Sequence, residues 1–98
     1  MDLSHFTRSL SHSVPPKPLA PTLEALWWAA KGDWDRAHEL VQHRGERDAA
    51  WVHAYLHRVE GDIDNARYWY SEARQPMGTG ALDIEWEQIT QAILGRSH

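Results

Sequence analysis

The chain has 98 residues, which suffices for one small domain and excludes most multidomain enzymes. Its 10 basic and 14 acidic residues give a formal net charge of −4 without long runs of like charge, so nucleic acid is not an expected partner. The absence of cysteine excludes disulfides, zinc–thiolate sites and a thiol nucleophile. The stability of the domain must therefore come from its core, to which six tryptophans are available.

The first 21 residues differ in composition from the rest of the chain. They hold four of the five prolines together with several serines, which predicts a flexible arm (1–21) before a helical domain (22–98). Leu3, Phe6 and Leu10 nevertheless have the spacing of one helix face, so a short docked helix is the alternative. Neither a signal peptide nor a membrane span is expected, and we interpret the chain as cytoplasmic.

From residue 22 onward, apolar residues recur with the period of a helix, and no segment alternates as a strand would. An all-α fold is therefore predicted. Start and stop signals place five helices, at 22–31, Asp33 to Gly45, Asp48 to Val59, Asp62 to Ala73, and 81–94 with Gly95 as its C-terminal cap.

The sequence repeats itself at an offset of 29 residues. The segment GDWDRA (32–37) aligns with GDIDNA (61–66), and four of these six positions are identical. A glycine can reverse the chain, an aspartate can cap the returning helix, and an apolar residue followed by an alanine lets the two helices approach. The repeat predicts two helix hairpins, followed by a C-terminal helix that caps one end.

These motifs resemble the tetratricopeptide (TPR) family of helical repeats, with Trp34 and Ile63 at the family's aromatic position and Ala37 and Ala66 at its small one. The resemblance covers residues 22–76, but the repeat of 29 residues is shorter than the family's usual length of about 34. It implies a non-catalytic interaction or scaffolding module that binds a peptide or helix of a protein partner, or pairs with a second copy as a homodimer. The segment 53–70 also resembles a motif of uncharacterised microbial proteins, which implies no activity.

Large side chains that cannot all face the core are candidates for contacting a partner. Successive helix residues are turned by about 100°, so the pair Trp27–Trp28 and the run 68–70 must each divide between the core and the surface. Trp27, Trp34, Trp69 and Trp86 are expected in the core. The predicted binding face consists of Trp28, Trp51, Tyr55, Arg58 and Tyr68.

One polar cluster is also a candidate site. His53 and His57 lie four residues apart, with Glu60 three residues further, so two imidazoles and a carboxylate can reach one divalent cation. The same histidines flank an apolar stripe, so their half-buried imidazoles can also donate hydrogen bonds to the neighbouring helix. This structural interpretation is preferred. With Asn65 they give the alternative function, a small-molecule- or metal-binding protein or enzyme. No catalytic residue, cofactor or resident metal is assigned from the sequence, since no hydrolase or phosphate-loop motif is present.

Overall fold

The computed structural model describes residues 1–96, and every regular element within that range is a helix, which confirms the predicted all-α fold. None of these helices combines the length and the apolar character needed to span a bilayer. The six helices are α1 (Leu3–Ser9), α2 (Pro21–Ala30), α3 (Trp34–Val41), α4 (Arg47–Glu60), α5 (Ile63–Ala73) and α6 (Leu82–Arg96).

The repeated motif builds two equivalent turns, one between α2 and α3 and one between α4 and α5. Gly32 and Gly61 have φ angles of 85° and 87°, a left-handed conformation that side chains with a Cβ rarely adopt. Asp33 and Asp62 follow as N-caps, and each carboxylate accepts a hydrogen bond from the backbone N–H three residues further along. Both predicted caps are confirmed, while the wider TPR-like arrangement stays a prediction.

The helix predicted to extend from Asp33 to Gly45 ends earlier, at Val41, with Gln42 as its C-cap. Two further predicted helix ends are wrong. The helix expected to be capped by Asp48 begins at Arg47, and its N-cap residue Glu46 makes no side-chain capping bond. The last helix continues through Gly95 to Arg96. The two errors share one physical reason, since the Arg96 guanidinium donates a hydrogen bond of 2.6 Å to the Asp48 carboxylate. The Asp48 carboxylate, which was expected to cap α4, is engaged by Arg96 instead, and the same contact holds the last turn of α6.

The main core lies between α2, α4 and α6, with α1 and α3 packed against it. Of the four tryptophans predicted there, Trp27 and Trp86 are buried, while Trp34 and Trp69 are half-buried. The indole N–H of Trp86 donates to the carbonyl oxygen of Leu26, which satisfies its polar atom inside the core. A smaller cluster between α4 and α5 contains Ala54, Ala66 and Tyr70.

The N-terminal segment expected as a flexible arm carries a helix that packs on the body. Phe6 is completely buried, with its ring centroid 6.0 Å from that of Trp86. The Ser9 hydroxyl accepts a hydrogen bond of 3.0 Å from the indole N–H of Trp27, and Lys31 donates to two carbonyl oxygens just after α1. The apolar spacing around Phe6 therefore determines the structure of α1. The proline-rich stretch begins only after this helix.

Substituting Ser9→Ala is expected to lower the free energy of unfolding by about 1–3 kcal/mol, because it leaves the buried indole N–H of Trp27 without an acceptor. Urea unfolding followed by circular dichroism measures the difference. Ser11→Ala is the matched control, since this exposed hydroxyl bonds only to a nearby backbone carbonyl, and its effect should stay within about 0.5 kcal/mol. Equal effects of the two substitutions would contradict the role given to Ser9.

Candidate metal site

Three histidines converge between α3 and α4. His38 comes from α3, while His53 and His57 lie one turn apart on the same face of α4. One ring nitrogen from each residue lies within 4.8 Å of the other two. Nε2 of His38 and Nε2 of His53 are 3.0 Å apart and share a hydrogen bond, so one of them carries the proton in the metal-free chain. The structure thus brings three imidazoles to one point, and we call these residues the histidine site.

A carboxylate orients one of the three rings. Nδ1 of His57 lies 2.7 Å from Oε1 of Glu60, and because a carboxylate oxygen only accepts, Nδ1 carries the proton. In the neutral ring, Nε2 is then the nitrogen with a free lone pair. The His57 side chain is 8% exposed and that of Glu60 38%, so the carboxylate approaches the buried ring from the solvent side. This is the carboxylate–histidine arrangement found behind many metal ligands.

Two tryptophans fix the orientation of the other rings. Trp34 stacks on His38 with ring centroids 4.7 Å apart and an interplanar angle of 12°. Trp69 stacks on His53 at 4.1 Å and 18°. The Trp34 indole is itself held by a hydrogen bond of 2.6 Å to the carbonyl oxygen of Leu56. The imidazole planes are therefore held before any ion binds, which lowers the entropic cost of binding.

Burial keeps two of the three histidines, His38 and His53, uncharged. Loss of solvation, together with the neighbouring His38 and His57, lowers the pKa of His53 to about 4. The pKa of His38 is also lowered, again mainly by burial. Both imidazoles are therefore neutral at pH 7, which is the form that binds metal ions. Nδ1 of His53 is buried and has no hydrogen-bond partner among residues 1–96. Buried polar atoms without a partner are uncommon, so this atom requires an explanation other than packing.

The metal-free protein is expected to lose stability as the pH falls from about 6.5 to 4. In this window His53 is protonated in the unfolded chain and neutral in the folded one, so the unfolded state binds more protons and is favoured by acid. Urea unfolding in the presence of a chelator at several pH values measures this slope. His53→Gln should flatten it relative to the parent chain, and an identical slope in this variant would contradict the assignment.

The sequence identified part of this site. Of the predicted polar cluster, His53, His57 and Glu60 do come together in the structure. Asn65 does not join them, since it is exposed in the first turn of α5 and bonds to the Asp62 cap. His38 was missed, because it lies on a different helix and no local spacing connects it to α4.

The predicted binding-face residues do not share one exposed surface. Tyr55 is buried, which raises its pKa to about 12, and the Arg58 side chain is only 15% exposed. Trp28 is half-buried under the Arg36 guanidinium, 4.2 Å from its ring centroid. Trp51 is half-buried beside α6, and Tyr68 is 56% exposed on α5.

In comparisons with known proteins, the chain matches no family model, no curated protein and no solved structure. Its chemistry must therefore be inferred from the residues themselves. Neutral imidazoles suit Zn²⁺, Co²⁺, Ni²⁺ and Cu²⁺, whereas Mg²⁺ and Ca²⁺ prefer oxygen ligands. A site of three imidazoles with a carboxylate behind one of them fits the first group of ions.

Proposed function

We propose that the chain is a metal-binding protein that holds one transition-metal ion, with Zn²⁺ as the reference case, between His38, His53 and His57. The single observation that carries this proposal is the convergence of three ring nitrogens within 4.8 Å of one another. In a tetrahedral zinc site, ligand nitrogens at about 2.0–2.1 Å from the ion lie roughly 3.3 Å apart. The spacing of 3.0 Å between the Nε2 atoms of His38 and His53 is close to that value.

The proposed ion would connect two parts of the fold. Its ligands come from the two helix pairs that the repeated motif creates, so binding joins α3 of the first pair to α4 of the second. Small domains without disulfides often gain stability from such a metal site. Three protein ligands leave the fourth position of a tetrahedral ion to water. We place the protein in the cytoplasm, where a domain without cysteine loses nothing to the reducing conditions.

Calorimetric titration of Zn²⁺ into chelator-treated protein tests this function. One ion should bind per chain, and His38→Ala, His53→Ala and His57→Ala should each abolish the tight binding phase. His43→Ala is the matched control, since this exposed histidine lies just beyond the end of α3. Circular dichroism verifies that each variant is folded. The proposal would be refuted if each of the three single variants still bound zinc tightly. It would also be refuted if His43→Ala abolished zinc binding as fully as the substitutions in the histidine site.

Glu60→Gln is expected to weaken zinc binding by about 10–100-fold, because the carboxylate orients His57 and increases its basicity. The amide oxygen of glutamine still accepts the Nδ1 hydrogen bond, so the change isolates the effect of charge. Competition with a chromophoric chelator measures the affinity. Glu72→Gln, an exposed substitution on α5, serves as the control, and equal affinities of the two variants would show that Glu60 has no part in the site.

A second candidate is the protein-interaction function implied by the TPR resemblance. Among the helices of residues 1–96, α5 packs mainly on α4 and also contacts α6 through the hydrogen bond from Tyr70 to Glu85. The face of α5 that points away from α4 has no neighbouring helix. Ile63 and Tyr68 are 41% and 56% exposed on α5. For this candidate we propose a second copy of the chain as the partner. Light scattering should then give a dimer that Tyr68→Arg dissociates, whereas a monomer at all concentrations would exclude it.

A further inference from the structure

A separate cavity lies between α6 and the segment 75–81 that follows α5. Its volume is about 420 Å³, and Trp51 of α4 forms part of its wall. Small-molecule sites commonly have volumes of about 300–1,000 Å³, so the cavity is large enough for a ligand. None of the residues that line it belongs to the histidine site.

One of the residues that line this cavity, Glu85, belongs to a buried ion pair with Arg58. The Glu85 carboxylate accepts a hydrogen bond of 2.5 Å from the Arg58 guanidinium and another from the Tyr70 hydroxyl, and Arg58 also bonds to the carbonyl oxygen of Gly80. A Cβ at Gly78 would overlap the Glu85 carboxylate, so the segment lies directly on this side chain, which would have to shift to admit a larger residue. These contacts hold the segment in place.

The walls combine apolar surface with hydrogen-bonding groups that have no partner. Met77 and Ile84 line the cavity together with the indole of Trp51. Four of the six tryptophans donate their indole N–H within residues 1–96, whereas the indole N–H groups of Trp51 and Trp69 have no acceptor there. The Arg96 guanidinium lies 5.9 Å from the centroid of the Trp51 ring. The side chains of half-buried Gln75 and exposed Gln88 line the cavity as well, and within the same range neither side-chain amide has a protein hydrogen-bond partner. Each amide offers both donors and an acceptor.

We propose that this cavity binds a flat, uncharged heteroaromatic molecule of the nucleobase class. The indole of Trp51 supplies a surface on which an aromatic ring can stack, as bases do on aromatic side chains. The indole N–H of Trp51 and the two glutamine amides can form hydrogen bonds with the edge of a ligand ring that carries adjacent donors and acceptors. The residues that line the cavity include the Glu85 carboxylate and no cationic side chain, and the chain has a net charge of −4. Phosphates and carboxylates are therefore disfavoured, and the recognised group is the base itself.

Nuclear magnetic resonance of the ¹⁵N-labelled full chain in a chelating buffer tests this site, with adenine and uracil as the probes. Saturable shifts are expected at the Trp51 indole N–H and at the side-chain amides of Gln75 and Gln88, with a dissociation constant of about 1 mM or tighter. Trp51→Phe assigns the indole resonance. Ile84→Arg should fill the cavity and abolish the shifts, and Gln88→Leu should weaken binding at least about tenfold.

Ile63→Arg is the matched control, because this residue is equally apolar and exposed on α5, away from the cavity. It should leave the shifts unchanged. Absence of saturation with both probes up to about 10 mM, or saturation that Ile84→Arg does not affect, would overturn the proposal. Toluene provides a probe without hydrogen-bonding groups, and shifts as large as those with adenine would also overturn it. Since no zinc is present, the outcome is independent of the metal-binding proposal.

Discussion

Zinc at a hundred times its dissociation constant is expected to raise the free energy of unfolding by about 2.7 kcal/mol. The ion binds the folded chain, in which His38 approaches α4, and the unfolded chain offers no such convergence of ligands. For a domain of this size, the corresponding rise in Tm exceeds about 10 °C. Differential scanning calorimetry in zinc and in a chelator measures the effect.

His38→Ala provides the sharpest comparison, because it removes the ligand that comes from α3 and leaves the pair on α4 intact. This variant should lose nearly all of the zinc-dependent rise in Tm. His43→Ala should keep all of it, since its side chain is exposed and outside the histidine site. An undiminished rise in His38→Ala would show that the ion does not join the two helices.

Glu85→Ala is expected to lower the free energy of unfolding by about 3–5 kcal/mol. The substitution leaves the Arg58 guanidinium, whose side chain is 15% exposed, without its anionic partner. It also removes the acceptor of the buried Tyr70 hydroxyl, whose pKa is raised by burial and by the hydrogen bond to Glu85. Urea unfolding measures the loss. Glu87→Ala, an exposed substitution on the same helix, should cost no more than about 0.5 kcal/mol.

A double substitution separates the loss of the ion pair from the cost of an unpaired charge. Arg58→Met combined with Glu85→Leu removes both charges, so it should be more stable than Glu85→Ala alone. If Glu85→Ala is no more damaging than Glu87→Ala, the ion pair does not hold the segment 75–81 on α6.

Local sequence patterns predicted the helices and the two repeated turns. At each turn, a glycine with positive φ and the aspartate that follows act within a few residues, so their effect can be read from the sequence. The wrong ends of α4 and α6 depend instead on the contact between Asp48 and Arg96, which are 48 residues apart. The position of α1 likewise depends on the burial of Phe6 against distant side chains.

The same distinction applies to the histidine site. His53, His57 and Glu60 are on or beside one helix face, so their spacing predicted that they meet. His38 joins them only because α3 packs on α4, and the repeat aligns it with Arg67, which offers no hint of a ligand. Two of the tryptophans expected in the core, Trp34 and Trp69, are half-buried against it and also stack on the imidazoles.

Anomalous diffraction from crystals of the zinc-loaded protein, recorded at the zinc absorption edge, tests the central claim most directly. The proposal predicts one strong peak per chain, about 2.0–2.1 Å from a ring nitrogen of each of His38, His53 and His57. A peak at the exposed pair of His5 and Asp2, or no peak among the three imidazoles, would contradict it.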